Sequence, residues 1–337
     1  MKKLDYQTPV TGQLQQLADD LYWARFDLPF RLTHVNLYIL DGPDGWIILD
    51  TGINDRPTRA HWQALLDGPL KSRPVAQIIV SHYHPDHVGF AGGLSAMTGA
   101  PVASSQTEAD EATHFWHLDE QVFADLLGKV YRQYGLEDRH IQVAQKGGSR
   151  YRMIVGEPPK FDILAPGTEI KTRAGSWQLR MDRGHSDQHI SLMDQARGLY
   201  LSVDFLLPRI TPNIAADIRE VDADRLSSYL AYLTEMCDLP GTVEVFPGHD
   251  WPFAEAGERA AYLIAHHRHR LDLLNEAARK APLSTAAAME VLFGNSDFGD
   301  HELYFASGEA RAHLNHLVTT AQLRRETDTD GIDWFVA

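Results

Sequence analysis

Between residues 31 and 52 apolar and polar positions alternate about a turn. Val35, Leu37 and Ile39 fall on one side of an extended chain, Asp41-Gly42-Pro43-Asp44-Gly45 interrupts, and Trp46-Ile47-Ile48-Leu49 resumes. This spacing predicts a β-hairpin. A polar, helix-compatible stretch over 58–66 follows, then an apolar run of strand length from Val75 to Val80. A histidine-rich turn leads into a helix over 88–97, closed by Gly99, and Pro101-Val102-Ala103-Ser104 predicts a further strand. Strands that alternate with helices predict an α/β layer architecture.

From 107 to 160 the pattern turns polar and helical, with Trp116, Phe123, Leu126, Leu127, Val130 and Tyr134 three or four positions apart or nearly so. Such an insertion serves either as a lid over a site or as a helical buttress, and both readings stay open. Strand-like runs return at 161–163, 176–181, 190–193, 198–203 and 242–246. After Pro252 come a long amphipathic helix over 255–280 with Ile264, Leu271 and Leu274 on one stripe, a second apolar segment over 283–293, a helix near 306–319 and a terminal hairpin over 323–336. The expected division is a domain over 1–252 and a small helical, winged-helix-like domain over 253–337.

Composition excludes several classes. With 44% apolar and 23% charged residues the chain of 337 residues matches an ordinary globular protein. The 31 basic against 46 acidic side chains give a formal charge of −15, which argues against general affinity for nucleic acid or anionic membrane. One cysteine, Cys237, allows no internal disulfide and fits a reducing compartment. No apolar run reaches about 18 residues. A cytoplasmic protein that acts on a small molecule is expected, with homodimer formation left open.

The chemistry concentrates in Ser81-His82-Tyr83-His84-Pro85-Asp86-His87, directly after the strand that ends near Val80. Alternation along extended chain puts His82 and His84 on one side, and Pro85 keeps His84 extended while suiting the first position of a helix. Asp86 and His87 then turn with that helix, a layout for two adjacent metal ions. Chance clustering is a poor explanation where 17 of 337 residues are histidine. His185, Asp204 and His249 each follow a predicted strand, so they can gather at one sheet edge. Imidazole and carboxylate suit Zn²⁺, Fe²⁺ or Mn²⁺.

In these motifs and their order over residues 30 to 250 the chain resembles the metallo-β-lactamase-fold superfamily. The resemblance implies a four-layer αβ/βα sandwich, with residues 1–252 as its catalytic domain. It also implies a ligand set: His82, His84 and His185 for one divalent ion, Asp86, His87 and His249 for a second, and Asp204 between them. Asp50, in Leu49-Asp50-Thr51-Gly52, matches the early aspartate that supports the histidine loop, although an aspartate before glycine is also a common turn residue. His189 is a further candidate partner behind the ligands. Val203 departs from the pattern, because a glycine commonly precedes the bridging aspartate. The run His266-His267-Arg268-His269-Arg270 reads as a solvated or interdomain helix face.

The segment Asp204–Asn213 and the helical tail are similar to the branch with a C-terminal winged helix, which includes glyoxalase II-like thioester hydrolases and an endoribonuclease. Two ions about 3.5–4 Å apart lower the pKa of a shared water towards about 7. The implied activity is therefore hydrolysis of a thioester or ester by hydroxide, with Asp204 setting the metal separation and Asp86 orienting the nucleophile. A lactonase, an RNA-directed phosphodiesterase that uses Arg324 and Arg325 on the wing, and a non-catalytic binding protein are the alternatives.

Overall fold

The computed structural model describes residues 1–147, 150–294 and 298–337. They form two compact units, neither continuous in sequence. One takes in Met1–His117, Ser149–Pro212 and Cys237–Arg259, the other Leu118–Gly148, Asn213–Met236 and Ala260–Ala337.

The first unit holds two seven-stranded sheets. In one the strands run in the order Leu14–Ala18, Leu21–Asp27, His34–Asp41, Trp46–Leu49, Val75–Ile79, Val102–Ser104 and Phe161–Ile163. The hairpin expected over 31–52 is there, with Tyr38 opposite Leu49 and Asp41 opposite Trp46. From Trp46–Leu49 onward the pairing is parallel. Parallel neighbours need crossovers, which the helices Arg56–Asp67 and Ala91–Thr98 supply. Asp55 caps the first of these through the Thr58 N–H at 2.8 Å, and Gly99 closes the second in the left-handed conformation, φ 73°.

The other sheet runs Lys2–Lys3, Phe253–Ala254, Glu244–Pro247, Leu199–Val203, His189–Asp194, Ser176–Asp182 and Glu169–Lys171. Leu199–Val203 and Glu244–Pro247 are its parallel pair. Between the sheets lies one core: Leu21, Trp23, Tyr38, Leu40 and Leu49 from the first meet Trp177, Leu179, Ile190, Leu192 and Leu201 from the second. Residues one position on, Val35, Leu37 and Ile39, are also buried, and so are Trp62 and Leu65 of the helix Arg56–Asp67. The ring of Phe26 meets Trp62 edge-on at 5.2 Å. Burial on both faces explains why Tyr38 and Leu40 are buried as well as Val35, Leu37 and Ile39, where alternation predicts one buried side. The N-terminal hairpin, Leu14–Ala18 with Leu21–Asp27, escapes the sequence reading because its pairing shifts register between Gln16 and Ala18, which blurs the two-residue period.

The stretch expected as one insertion is divided between the units. Its first helix, Gln106–His114, belongs to the first unit, while Glu120–Gln133 and Asp138–Gly147 belong to the second; residues 148 and 149 lie outside the described residues. The second unit also contains Arg225–Cys237 as far as Met236, which the sequence reading left unassigned. It further contains most of the helix Ala256–Ala278, then Thr285–Phe293, Asp300–Thr319 and the antiparallel hairpin of Arg324–Thr327 with Asp333–Val336. In it Arg311, fully buried, reaches Asp222 and Asp333 at 2.7 Å each.

The expectation of a solvated or interdomain face for His266–Arg270 holds only in part. Five consecutive helical positions sweep more than a full turn, so one must face inward, and His267 is fully buried. Its Nδ1 lies 3.1 Å from His313 Nε2, and His313 Nδ1 donates to the Glu309 carbonyl at 2.7 Å. Burial first, then neighbouring imidazoles and Arg270, hold His267 down to about 2, and burial with Arg270 holds His313 to about 3. Both lie below the unfolded value near 6.5, so the unfolded chain binds more protons between about pH 2 and 6.5. Their contribution to stability is whole above about pH 6.5 and is lost as the pH falls. Denaturant midpoints at pH 7.5 and 5 should differ less in a His267→Gln/His313→Gln variant than in the wild type.

Candidate metal centre

The site starts where two adjacent parallel strands of the first sheet end, Trp46–Leu49 and Val75–Ile79. Asp50 follows the first with φ 66°, a left-handed backbone that turns its carboxylate under the second. Asp50 Oδ1 accepts the Ser81 N–H at 2.7 Å, and Oδ2 accepts the Ser81 hydroxyl at 2.7 Å and His87 Nδ1–H at 2.8 Å. Thr51 adds a backbone and a hydroxyl bond to the His87 carbonyl, at 2.9 and 2.7 Å. His84 is extended (φ −61°, ψ 146°) and Pro85 opens the short helix Pro85–Val88, as the sequence requires. His82 Nε2 and His84 Nδ1 then lie 3.0 Å apart.

The second sheet brings the rest. Asp204 follows Leu199–Val203 and His249 follows Glu244–Pro247, the ends of its own parallel pair. His185 sits in the connection between Ser176–Asp182 and His189–Asp194. His249 Nδ1 donates to the His34 carbonyl at 2.8 Å, which turns Nε2 towards Asp204. Val203 has φ 47°, an unusual conformation for a β-branched residue that costs about 1–3 kcal/mol. A glycine would carry none of that strain, which gives the departure at this position its physical meaning.

All seven expected side chains converge. The Asp204 Oδ2 atom lies 3.4 Å from His87 Nε2, 3.6 Å from His185 Nε2 and 3.2 Å from His249 Nε2. Asp86 Oδ2 is 3.7 Å from His87 Nε2 and 3.5 Å from His249 Nε2. Three groups place their donor atoms within 4.8 Å of one another: His82, His84 and His185; His82, His87 and Asp204; and Asp86, His87 and His249. Donors about 2.0–2.2 Å from one tetrahedral ion are about 3.3–3.6 Å apart, so these spacings suit shared coordination. His87 Nε2 and Asp204 Oδ1 are buried without a hydrogen-bond partner, and a cation satisfies such atoms. The donor set therefore fits a pair of divalent ions.

Burial, then the neighbouring imidazoles, hold His82 well below the ordinary histidine value; burial and His185 do the same to His84. Both rings are thus neutral, the form that ligates. Burial would raise Asp204, but His249 and His87 more than offset it and keep the carboxylate ionised. His189, fully buried, stands behind the ligands: its ring is 4.7 Å from that of His82, and its Nε2 accepts the Asp204 N–H at 3.4 Å.

Four functional residues escaped the sequence reading. Ser81 completes the Asp50 support. His34 orients His249 through its carbonyl, and its Nε2 accepts the Asp250 N–H at 2.8 Å. Gly248 packs its Cα against Asp204. Glu108 is buried beneath both ligand loops. Ser105-x-x-Glu108 does carry a signal, a helix-start motif in which the glutamate normally bonds back to its own cap. Here its carboxylate is turned to other partners.

Asp50 is the support whose loss is easiest to isolate. Asp50→Asn keeps the shape, but whichever way the amide turns, its NH₂ faces either the Ser81 N–H or His87 Nδ1–H. Metal affinity should fall about 10–100-fold, read by competition with a chromophoric chelator, with the circular dichroism spectrum unchanged.

Residues 31–249 match the metallo-beta-lactamase superfamily, and residues 271–337 match a metallo-beta-lactamase-like C-terminal domain. The chain belongs to that superfamily, and with it to the metallo-hydrolases. It is 23% identical over 309 residues to the probable metallo-hydrolase YqjP of Bacillus subtilis (strain 168), covering 89% of this chain and 92% of that one. A solved beta-lactamase domain protein from Burkholderia ambifaria superposes with a TM-score of 0.89 at 31% identity, over 98% of this chain and 97% of the other. A metallo-beta-lactamase family protein from Thermus thermophilus gives 0.79 at 25%, over 96% and 100%.

Proposed function

We propose that this protein is a dinuclear metal-dependent hydrolase of small thioesters or esters, with zinc, iron or manganese as the ions. The observation that carries it is Asp204 Oδ2, which stands 3.2–3.6 Å from the ring nitrogens of His87, His185 and His249. A carboxylate so placed serves both histidine groups at once. When bound, a pair of divalent ions would lower the pKa of a water to about 7 and would polarise the scissile bond. The chain's own residues do the rest. His82, His84 and His185 would hold one ion and Asp86, His87 and His249 the other, and Asp50 with the His34 carbonyl fixes the rings of His87 and His249. Asp86 is 18% exposed where His87 is sealed and Asp204 is 7% exposed. It is the carboxylate placed to accept a hydrogen bond from the attacking water.

The acidic chain favours a small substrate over a polyanion. Cleavage of RNA has less support, because both wing arginines have acidic neighbours: Arg325 pairs with Asp222, and the exposed Arg324 lies 3.9 Å from Glu326. The helices and hairpin that close the chain support the winged-helix branch. The exposed, single Cys237 supports a cytoplasmic setting, and no helix among the described residues is long and apolar enough to cross a membrane.

Reconstituted protein should bind two metal equivalents and hydrolyse members of a panel of acyl-coenzyme A and glutathione thioesters, aryl esters and lactones, with no salt-sensitive binding of labelled single-stranded RNA. A metal-loaded protein that cleaves no thioester, ester or lactone overturns the reading.

A further inference from the structure

Glu108 sits at the third position of the helix Gln106–His114, 1% exposed, with no part in the ligand set. Its two carboxylate oxygens face different loops. Oε2 accepts the N–H of Tyr83, the residue between His82 and His84, at 3.0 Å. Oε1 accepts the hydroxyl of Ser186, next to His185, and the N–H of Gln188, each at 2.7 Å. The same helix start reinforces that second contact: Ser105 Oγ donates to the Gln188 carbonyl at 2.9 Å, and the Thr107 N–H donates to Gln188 Oε1 at 3.1 Å.

The two loops come from different sheets, and across them the rings of His84 and His185 lie 4.6 Å apart. One backbone bond joins the two segments behind the rings, Ile190 N–H to the Ser81 carbonyl at 2.8 Å, and the loop that carries His185, five residues before Ile190, is tied across by Glu108. We infer that Glu108 is a positioning residue that spans the two loops and sets the distance between the histidines of the His82, His84 and His185 group. His87 and His249 are held by other means, Asp50 and the His34 carbonyl, so Glu108 acts on one ion of the pair. Burial pushes Glu108 up to about 7 against the pull of its three donors. The two oxygens of a carboxyl group can accept all three donors, whereas an amide nitrogen in either place cannot accept at all.

The inference rests on the metal reading above, and the test separates the two. Glu108→Gln keeps the volume, but whichever way the amide turns, its NH₂ faces the backbone N–H of Tyr83 or of Gln188, neither of which can rotate away. Cobalt(II) titration followed by the visible d–d absorption should show one equivalent bound within about 3-fold of wild type and the other about 10–100-fold weaker, with an altered band shape. The weakened equivalent should be the one that a His185→Ala variant loses. Ser186→Ala, which removes one donor and leaves the carboxylate, should weaken the same equivalent by about 3–10-fold, and it carries the test if Glu108→Gln does not fold. Wild-type protein that loads two equivalents while Ser186→Ala titrates identically overturns the role of Glu108, as does equal weakening of both equivalents in a folded Glu108→Gln. Wild-type protein that takes up no cobalt overturns the metal reading and this one with it.

Discussion

Asp204→Asn should reduce bound metal from two equivalents per chain to one or fewer and slow hydrolysis by about 1,000-fold or more. Asp204 Oδ2 lies within 3.6 Å of three histidine nitrogens, and its other oxygen is buried without a hydrogen-bond partner. An amide of the same shape offers one neutral acceptor and places a donor where a cation belongs. Paired ions supply several kcal/mol of charge stabilisation, and each 1.36 kcal/mol is a factor of ten in rate, hence the size of the loss. The fold itself should survive, because the sandwich core of Trp23, Tyr38, Trp177 and Leu201 does not depend on this carboxylate. Elemental analysis of dialysed protein, steady-state kinetics and near-ultraviolet circular dichroism together check the three statements. Two tightly held equivalents in the folded variant would remove the bridging role.

Gly248→Ala should damage the same carboxylate from the outside. A Cβ at Gly248 would overlap Asp204 Oδ1 and stand 3.2 Å from His87 Cε1. The backbone there cannot retreat, since the Gly248 N–H bonds the Val203 carbonyl at 2.8 Å and its own carbonyl accepts the Asn36 N–H at 2.7 Å. Asp204 must therefore rotate away. A stability loss of about 1–3 kcal/mol from overpacking and an activity loss of about 100-fold are expected. Gly99→Ala is the control: it has φ 73° and nothing within 4 Å of a built Cβ. It should lose about 1 kcal/mol of stability with kcat/KM unchanged. Thermal melts and kinetics of both variants make the comparison, and equal activity in the two would refute the close approach at Gly248.

Much of the site is legible in the sequence because its parts are local. His82, His84, Asp86 and His87 lie within six residues, and the strand, the proline and the helix start around them set their directions by backbone rules that act over a few positions. The α/β pattern, the ends of the parallel strands and the terminal hairpin were open to the same kind of reading, since apolar periodicity reports burial along one element at a time. Composition alone carried the charge argument and the lone cysteine.

Tertiary structure decided what depends on pairs of distant residues. That Asp204 stands between His87, His185 and His249, that the His34 carbonyl turns His249, and that Gly248 must lack a side chain are facts of approach between segments up to 215 positions apart. Glu108 shows the limit best. Its own helix-start motif offers a complete local partner, yet the folded chain turns the carboxylate to two loops from two sheets, because a buried carboxylate gains more from three donors than from one. His267 makes the same point in the second unit, where a polar run on the page hides one imidazole whose burial follows only from what packs over it.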